Sequence, residues 1–206
     1  MPAIRALVIS DLVEDGDGRR MKLRRRKVHH LSEKLALLDE VIGRFKPEKI
    51  VALGEAPIRR DDFEDLEGAI HEMFFSYFDH YEWHWVGPGN DQDRDRHDNH
   101  QGTAHETLGA NGLMLRYRPL AGPVTHEISG HVNPAAFIGA PDYAIRRPCF
   151  VSNGMRLVMP RFGSYRGGEN ILDDRFRTIF TDAALNVWML GYDGVQPVAC
   201  RQLRAD

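Results

Sequence analysis

The chain is poor in cysteine, in long apolar runs and in net charge. Its 206 residues hold two cysteines, Cys149 and Cys200. Two are too few for a disulfide scaffold and match no zinc spacing, so a reducing cytoplasm is the expected compartment. The N-terminus carries no long apolar stretch, so neither a signal peptide nor a membrane span is expected. Formal net charge is −3, from 27 basic and 30 acidic residues. A globally basic nucleic-acid binder is thereby excluded, and any such role needs a local patch. Neither an internal repeat nor a low-complexity linker is visible. A single domain over residues 1–206 is expected, long enough for a full-sized core.

What is present divides into two styles. Ile4 to Ile9 and Lys49 to Leu53 are apolar, β-branched runs that read as buried strands. Between them Leu35, Leu38, Ile42 and Phe45 recur at helical spacing, with Ser32 as the expected N-cap and Pro47 as the stop. A second helix is expected to start at Asp61 and Asp62 and to bury Phe63, Leu66, Ile70, Phe74 and Tyr77. Glu82 to Val86 follows as a third strand. This is a β-α-β pattern and predicts parallel pairing. Residues 91–107 read as a polar loop rich in Asp, His, Arg and Asn. Beyond it Asn111-Gly112, Asn153-Gly154 and Asp193-Gly194 sit between apolar runs, which signals hairpins. Trp83, Trp85, Phe74, Phe75 and Phe78 read as core.

Four apolar runs end in groups able to bind a ligand. They lead into Asp11, Gly54-Glu55, Gly89-Asn90-Asp91 and Gly130-His131, with Pro134 expected to end the last ladder. Asp, Glu, Asn and His are hard or borderline metal ligands. Singly, each has an ordinary reading: Asp11 as a turn cap, Glu55 as a solvated acid, Asn90 as a turn residue, His131 as a hydrogen-bonding histidine. Together their order is similar to a known arrangement.

That order, strand-Asp, strand-Gly-acid, Gly-Asn, Gly-His, resembles the calcineurin-like metallophosphoesterases. The tail, Arg146-Arg147-Pro148-Cys149-Phe150, Leu157 to Gly163 and Gly167-Gly168, resembles the bacterial ligase-associated DNA damage response endonucleases. The resemblance runs from about Ile4 to about Phe180. It implies an α/β fold: a four-layer α-β-β-α sandwich, two mixed sheets packed face to face with helices outside. It implies a phosphodiesterase or nuclease dependent on a divalent metal, Mn²⁺ first among candidates, working in DNA repair beside a DNA ligase and a helicase.

The chain departs from the family at several ligand positions. Val13, Glu55, Asp91, Tyr117 and Asn133 stand where the family has His, Asp, His, His and His. The ligands carried over are Asp11, Glu55, Asn90 and His131, enough for one ion at most. Two cations roughly 3.5–4 Å apart are what lower the pKa of a bridging water and neutralise phosphoryl charge. A phenol in the position of Tyr117 ligates only when deprotonated, against a free pKa of about 10. The expected function is therefore a weakened or inactive phosphoesterase. The alternatives are a non-catalytic relative that binds nucleic acid or a partner, and a sequence redesigned on this backbone. Arg19, Arg20, Arg24, Arg25, Arg26 and Lys27 form the basic run available to DNA or RNA phosphates. His97, His100, His105 and His126 are candidate replacement ligands without a standard metal spacing.

Overall fold

The computed structural model describes residues 1, 4–12, 25–54, 68–87, 102–140, 143–163, 167–181 and 184–205, with backbone alone at 25–30, 69–71, 140 and 143. Its first half is built on strands β1 (Ala6–Ser10), β2 (Lys49–Leu53) and β3 (Glu82–Val86), connected through α1 (Arg25–Phe45) and α2 (Gly68–His80). The strands pair in parallel in that order, and β4 (Thr103–His105) adds a fourth parallel strand beyond β3. Both crossovers step the same way across the sheet, so right-handed connections put both helices on one face.

Strand side chains alternate between faces, and two cores result. Ile9, Ile50, Ala52, Trp83 and Trp85 face the helices, against Leu31, Leu35, Leu38 and Ile42 of α1 and Phe74, Phe75 and Tyr77 of α2. Trp83 and Trp85 stack with centroids 5.1 Å apart, as core and not as an exposed stacking platform. Ala6, Val51, Leu53 and Val86 point the other way and meet Leu115 from the second half of the chain.

That half forms a nine-stranded sheet among the described residues. Its strands are β5 (Thr107–Ala110), β6 (Leu113–Arg116), β7 (Glu127–Ser129), β8 (Pro134–Ala140), β9 (Tyr143–Ser152), β10 (Arg156–Val158), β11 (Glu169–Asn170), β12 (Asn186–Gly191) and β13 (Gly194–Val198). The order is β11-β8-β9-β10-β7-β6-β5, with β12 beside β9 and β13 beside β12. On its outer side Phe176 and Ile179 of α3 (Asp174–Ile179) pack with Val132, Cys149, Val151, Val158 and Val187. Helices, parallel sheet, mixed sheet and helix give the expected four-layer sandwich. Cys149 and Cys200 form no disulfide, and burial pushes the Cys149 thiol up to about 12. No helix among the described residues is long and apolar enough to cross a membrane.

The short strand β7 carries the second half's contribution to the site, and it is held at its start by charge. Glu127 is buried there, with Arg156 Nε at 3.3 Å and Arg116 Nε at 3.5 Å. Burial raises the Glu127 carboxyl pKa, and the nearby guanidiniums pull it back down. Arg156, on the neighbouring β10, also donates to Leu120 O at 2.8 Å in the loop before β7 and to Ile179 O at 2.6 Å at the end of α3.

Four expectations are corrected. Helix α1 begins at Arg25, so Ser32 lies inside it and caps nothing; Arg and Lys are good helix formers and carry the helix upstream. Phe45 is 66 % exposed in its last turn, although it shares the spacing of the buried stripe. The end of the 91–107 loop is not loop: Thr103–His105 and Thr107–Ala110 are strands. Pro134 does not close a ladder but opens β8, paired with Glu169, where the missing N–H of a first residue is tolerated. The hairpins stand. Asn111 and Gly112 both take positive φ, 50° and 78°, in a two-residue turn. At the β12–β13 turn Gly191 pairs with Gly194, so the turn residues are Tyr192-Asp193. The expected start of α2 at Asp61, with Phe63 and Leu66, lies outside the described residues, as does the side chain of Ile70.

Candidate functional site

Because β1, β2 and β3 run parallel, their carboxyl ends share one edge of the first sheet. The chain steps along that edge by backbone hydrogen bonds. Asp11 N donates to Leu53 O at 2.8 Å, and Gly54 N donates to Val86 O at 2.9 Å. A Cβ on Gly54 would sit 3.8 Å from Asp11 Oδ1, so Gly54 faces the Asp11 carboxylate. The second sheet reaches this edge through the end of β7. A Cβ on Gly130 would collide with Ser10 Oγ and lie 2.9 Å from Ser10 Cβ. Glycine is required there for close approach and not for a special φ. Asp11 and His131, each the next residue along, therefore flank one contact between the two sheets.

Three residues beside that contact hold left-handed backbone: Asp11 at φ 51°, His131 at 66° and Asn133 at 44°. Asp, His and Asn tolerate this region best, yet each costs on the order of 1 kcal/mol against an extended alternative. Strain of this kind persists where surrounding contacts impose it. Here the contacts are visible. Asp11 is 4 % exposed and its Oδ2 accepts from Ser10 Oγ at 2.8 Å. The buried ammonium of Lys34 donates to Asp11 O and Leu12 O, both at 3.1 Å. Ser10 O accepts from Phe162 N at 2.7 Å. The turn after β1 is thus clamped from α1 on one side and from residue 162 on the other.

His131 is oriented by Tyr117. The phenol oxygen lies 2.8 Å from His131 Nδ1, with ring centroids 4.6 Å apart, and Tyr117 O accepts from Gly130 N at 3.2 Å. The hydroxyl occupies Nδ1, so Nε2 is the nitrogen that Tyr117 leaves for other partners. Asn133 is used structurally: its Oδ1 accepts from Arg161 N at 3.1 Å.

Of the four expected ligands, Asp11 and His131 are described, each following one of the two residues in contact, Ser10 and Gly130. Glu55 directly follows Gly54, but Glu55 and Asn90 lie outside the described residues, as do Val13, Asp91, Arg19, Arg20, Arg24, His97 and His100. Arg25, Arg26 and Lys27 form the first turn of α1, with side chains outside the description. Among the described residues no three His, Cys, Asp or Glu side chains gather as a metal-binding group. One carboxylate and one imidazole do not by themselves complete a centre for a divalent ion, and the other two expected ligands, Glu55 and Asn90, lie outside the described residues.

Two spare histidines serve elsewhere. His105 Nε2 lies 3.0 Å from His84 Nδ1, and His84 Nε2 lies 2.9 Å from Glu82 Oε1. Burial, then the His84 charge, lowers the His105 pKa. His126 is exposed, before β7.

Lys34 was not singled out in the sequence, yet a signal exists. It falls at the 31-34-35-38 spacing of the apolar stripe of α1, where a charge is out of place. No family model matches the chain, and no curated protein matches it. A solved structure, the Pseudomonas putida nuclease MPE, is similar with a TM-score of 0.62 over 96 % of this chain and 89 % of that one, at 21 % identity. At that identity the likeness establishes the fold: the four-layer sandwich of the metallophosphoesterase type.

Proposed function

We propose that the chain is a nuclease-like phosphoesterase acting on DNA or RNA, with its metal chemistry attenuated. The observation that carries this reading is the contact between Ser10 and Gly130, the residues that precede Asp11 and His131 on two different sheets. In this reading Asp11, Glu55, Asn90 and His131 hold one divalent ion at most, Mn²⁺ by resemblance. Such an ion, when bound, activates water and draws charge from the phosphoryl oxygens. The protein's own part is positioning. Ser10 and Lys34 fix the Asp11 turn, and Tyr117 fixes the His131 ring. The basic residues from Arg19 to Lys27 supply phosphate contacts. A role in DNA repair, with a DNA ligase and a helicase as partners, belongs to the same proposal and rests on family resemblance.

A second reading, nucleic-acid binding without turnover, is favoured by the Tyr117 hydroxyl on Nδ1 and by the engagement of Asn133 with Arg161. One experiment separates the two. Mn²⁺ binding and hydrolysis of bis(p-nitrophenyl) phosphate are compared between this chain and a variant carrying Val13→His, Glu55→Asp, Asp91→His, Tyr117→His and Asn133→His. The expected result is one ion or fewer and slow turnover for the chain, against tighter binding and turnover faster by on the order of 10²-fold or more for the variant. Equal rates overturn the attenuated site. A folded variant that neither binds metal nor hydrolyses overturns the ligand assignment. Salt-dependent DNA binding that persists in chelator, with no turnover by the chain, selects the second reading.

A further inference from the structure

A cavity of about 360 Å³ opens along the outer edge of β1, between α1 and the β12–β13 hairpin. Its lining is largely apolar and includes Val8, Leu37, Phe150, Phe162, Tyr192 and Val195. At its rim Tyr192 is 84 % exposed and Val195 is 49 % exposed. The volume falls in the range of small-molecule sites.

Besides the Ser10, Arg161 and Tyr192 side chains, the cleft is lined by polar backbone groups of β1. β1 is an edge strand, and its odd-numbered residues bond inward: Arg5 O accepts from Glu48 N, and Asp11 N donates to Leu53 O. Even-numbered residues therefore turn N–H and C=O outward. Ala6 is occupied by Met1, which accepts from Ala6 N at 3.2 Å and donates its amine to Ala6 O at 2.8 Å. At the other end Ser10 O is occupied by Phe162 N. Between these two stops the outward N–H and C=O of Val8 meet no backbone partner among the described residues. Backbone groups of this kind are strong hydrogen-bonding sites that call for a partner.

The opening is too short for an added β-strand, which needs several residues of open ladder. It suits a small planar group with a donor next to an acceptor and an apolar face. A nucleobase has both properties: a donor–acceptor edge and a π-face that stacks on aromatic side chains. Tyr192 supplies a ring at the rim, with the Arg147 guanidinium 4.5 Å from its centroid. One end of the cleft lies next to the candidate site in sequence: Ser10 lines it and Asp11 is the following residue.

We propose that this cleft is a nucleobase subsite, in which Val8 backbone groups bond the base edge and Tyr192 stacks on its face. The choice of a nucleobase among planar donor–acceptor ligands rests on the nucleic-acid reading above; the cleft and its open edge do not. The test titrates the intact chain, in chelator, with each of the four free ribonucleosides, following backbone amide resonances. Saturable shifts centred on Val8 and Tyr192 are expected for at least one nucleoside. Tyr192→Ala, at a largely exposed position, should weaken that binding on the order of tenfold, as loss of one stacking partner does. If adenosine is the ligand, N6,N6-dimethyladenosine should bind at least as much more weakly, because its edge lacks the donor. No saturable shift with any nucleoside, shifts elsewhere on the protein, or an unaffected Tyr192→Ala would each overturn the subsite. Since the titration needs neither metal nor turnover, it fails separately from the phosphoesterase reading. Hydrolysis without nucleoside binding removes the subsite alone, and nucleoside binding without hydrolysis by the ligand-restored variant removes the catalytic reading alone.

Discussion

The two sheets are built differently, and the candidate site lies where they touch. The first is four parallel strands in chain order, the first three joined through helices, with its cores set by strict side-chain alternation. The second mixes strands of very unequal length and joins hairpins to pairings between strands distant in sequence: β7 lies beside β10, and β11 beside β8. Regularity delivers a rigid edge at which Asp11 and Gly54 stand side by side. Irregularity delivers a three-residue strand, β7, that ends in a tight turn and can carry His131 to that edge. Neither sheet holds the site alone.

The junction is the place where this contrast breaks most easily. Gly130→Val should be the most destabilising single change considered, on the order of 3 kcal/mol or more in urea unfolding, because its side chain has to enter space held by Ser10. A near-neutral result would mean that the sheets do not touch there. Next comes the first sheet's own clamp. Lys34→Met keeps the apolar stem but leaves Asp11 O and Leu12 O without their charged donor, at a cost of about 2 kcal/mol by the same assay. An unchanged unfolding midpoint would show the turn after β1 to be held by other groups.

On the second sheet's side a smaller effect is expected. Tyr117→Phe removes one neutral hydrogen bond, about 1 kcal/mol, and should alter the tautomer balance of His131 seen in its ring ¹⁵N resonances. Unaltered resonances would detach Tyr117 from the imidazole. The smallest effect lies at the far edge, in the His84–His105 pair. The His105 pKa is lowered from 6.5, so the folded state binds its proton less readily than the unfolded chain does. Its contribution to stability is complete above 6.5 and is lost as pH falls through the folded pKa. Thermal melts between about pH 7 and about pH 5 should show this slope, and His105→Gln should flatten it. A variant with the same slope would place the titration elsewhere.

Legibility in the sequence followed the same division. Lys49–Leu53 and Glu82–Val86 were readable to the residue, the first because Ile50 to Leu53 is the continuous apolar run of a buried parallel strand. The Asn111-Gly112 turn was readable because two positive φ angles in succession demand such residues. Ser32 misled, since a good capping residue does not start a helix when good helix formers precede it. Pro134 misled because a missing N–H is compatible with opening a strand as well as ending one. At the junction, the positions of Asp11 and His131 just after strands were legible from the apolar runs that lead into them. The bond from Tyr117 to His131, the grip of Lys34 and the use of Asn133 on Arg161 depend on contacts between segments far apart in sequence, which no local pattern encodes.

The most direct test of the junction is a double-mutant cycle between Ser10→Gly and Gly130→Ala, read by urea unfolding. Removing the Ser10 side chain should make room for the new methyl group, so the pair should be less destabilising than the sum of the singles by about 1–3 kcal/mol. Strictly additive losses would mean that the two strand ends are not in contact, and that Asp11 and His131 do not belong to one site.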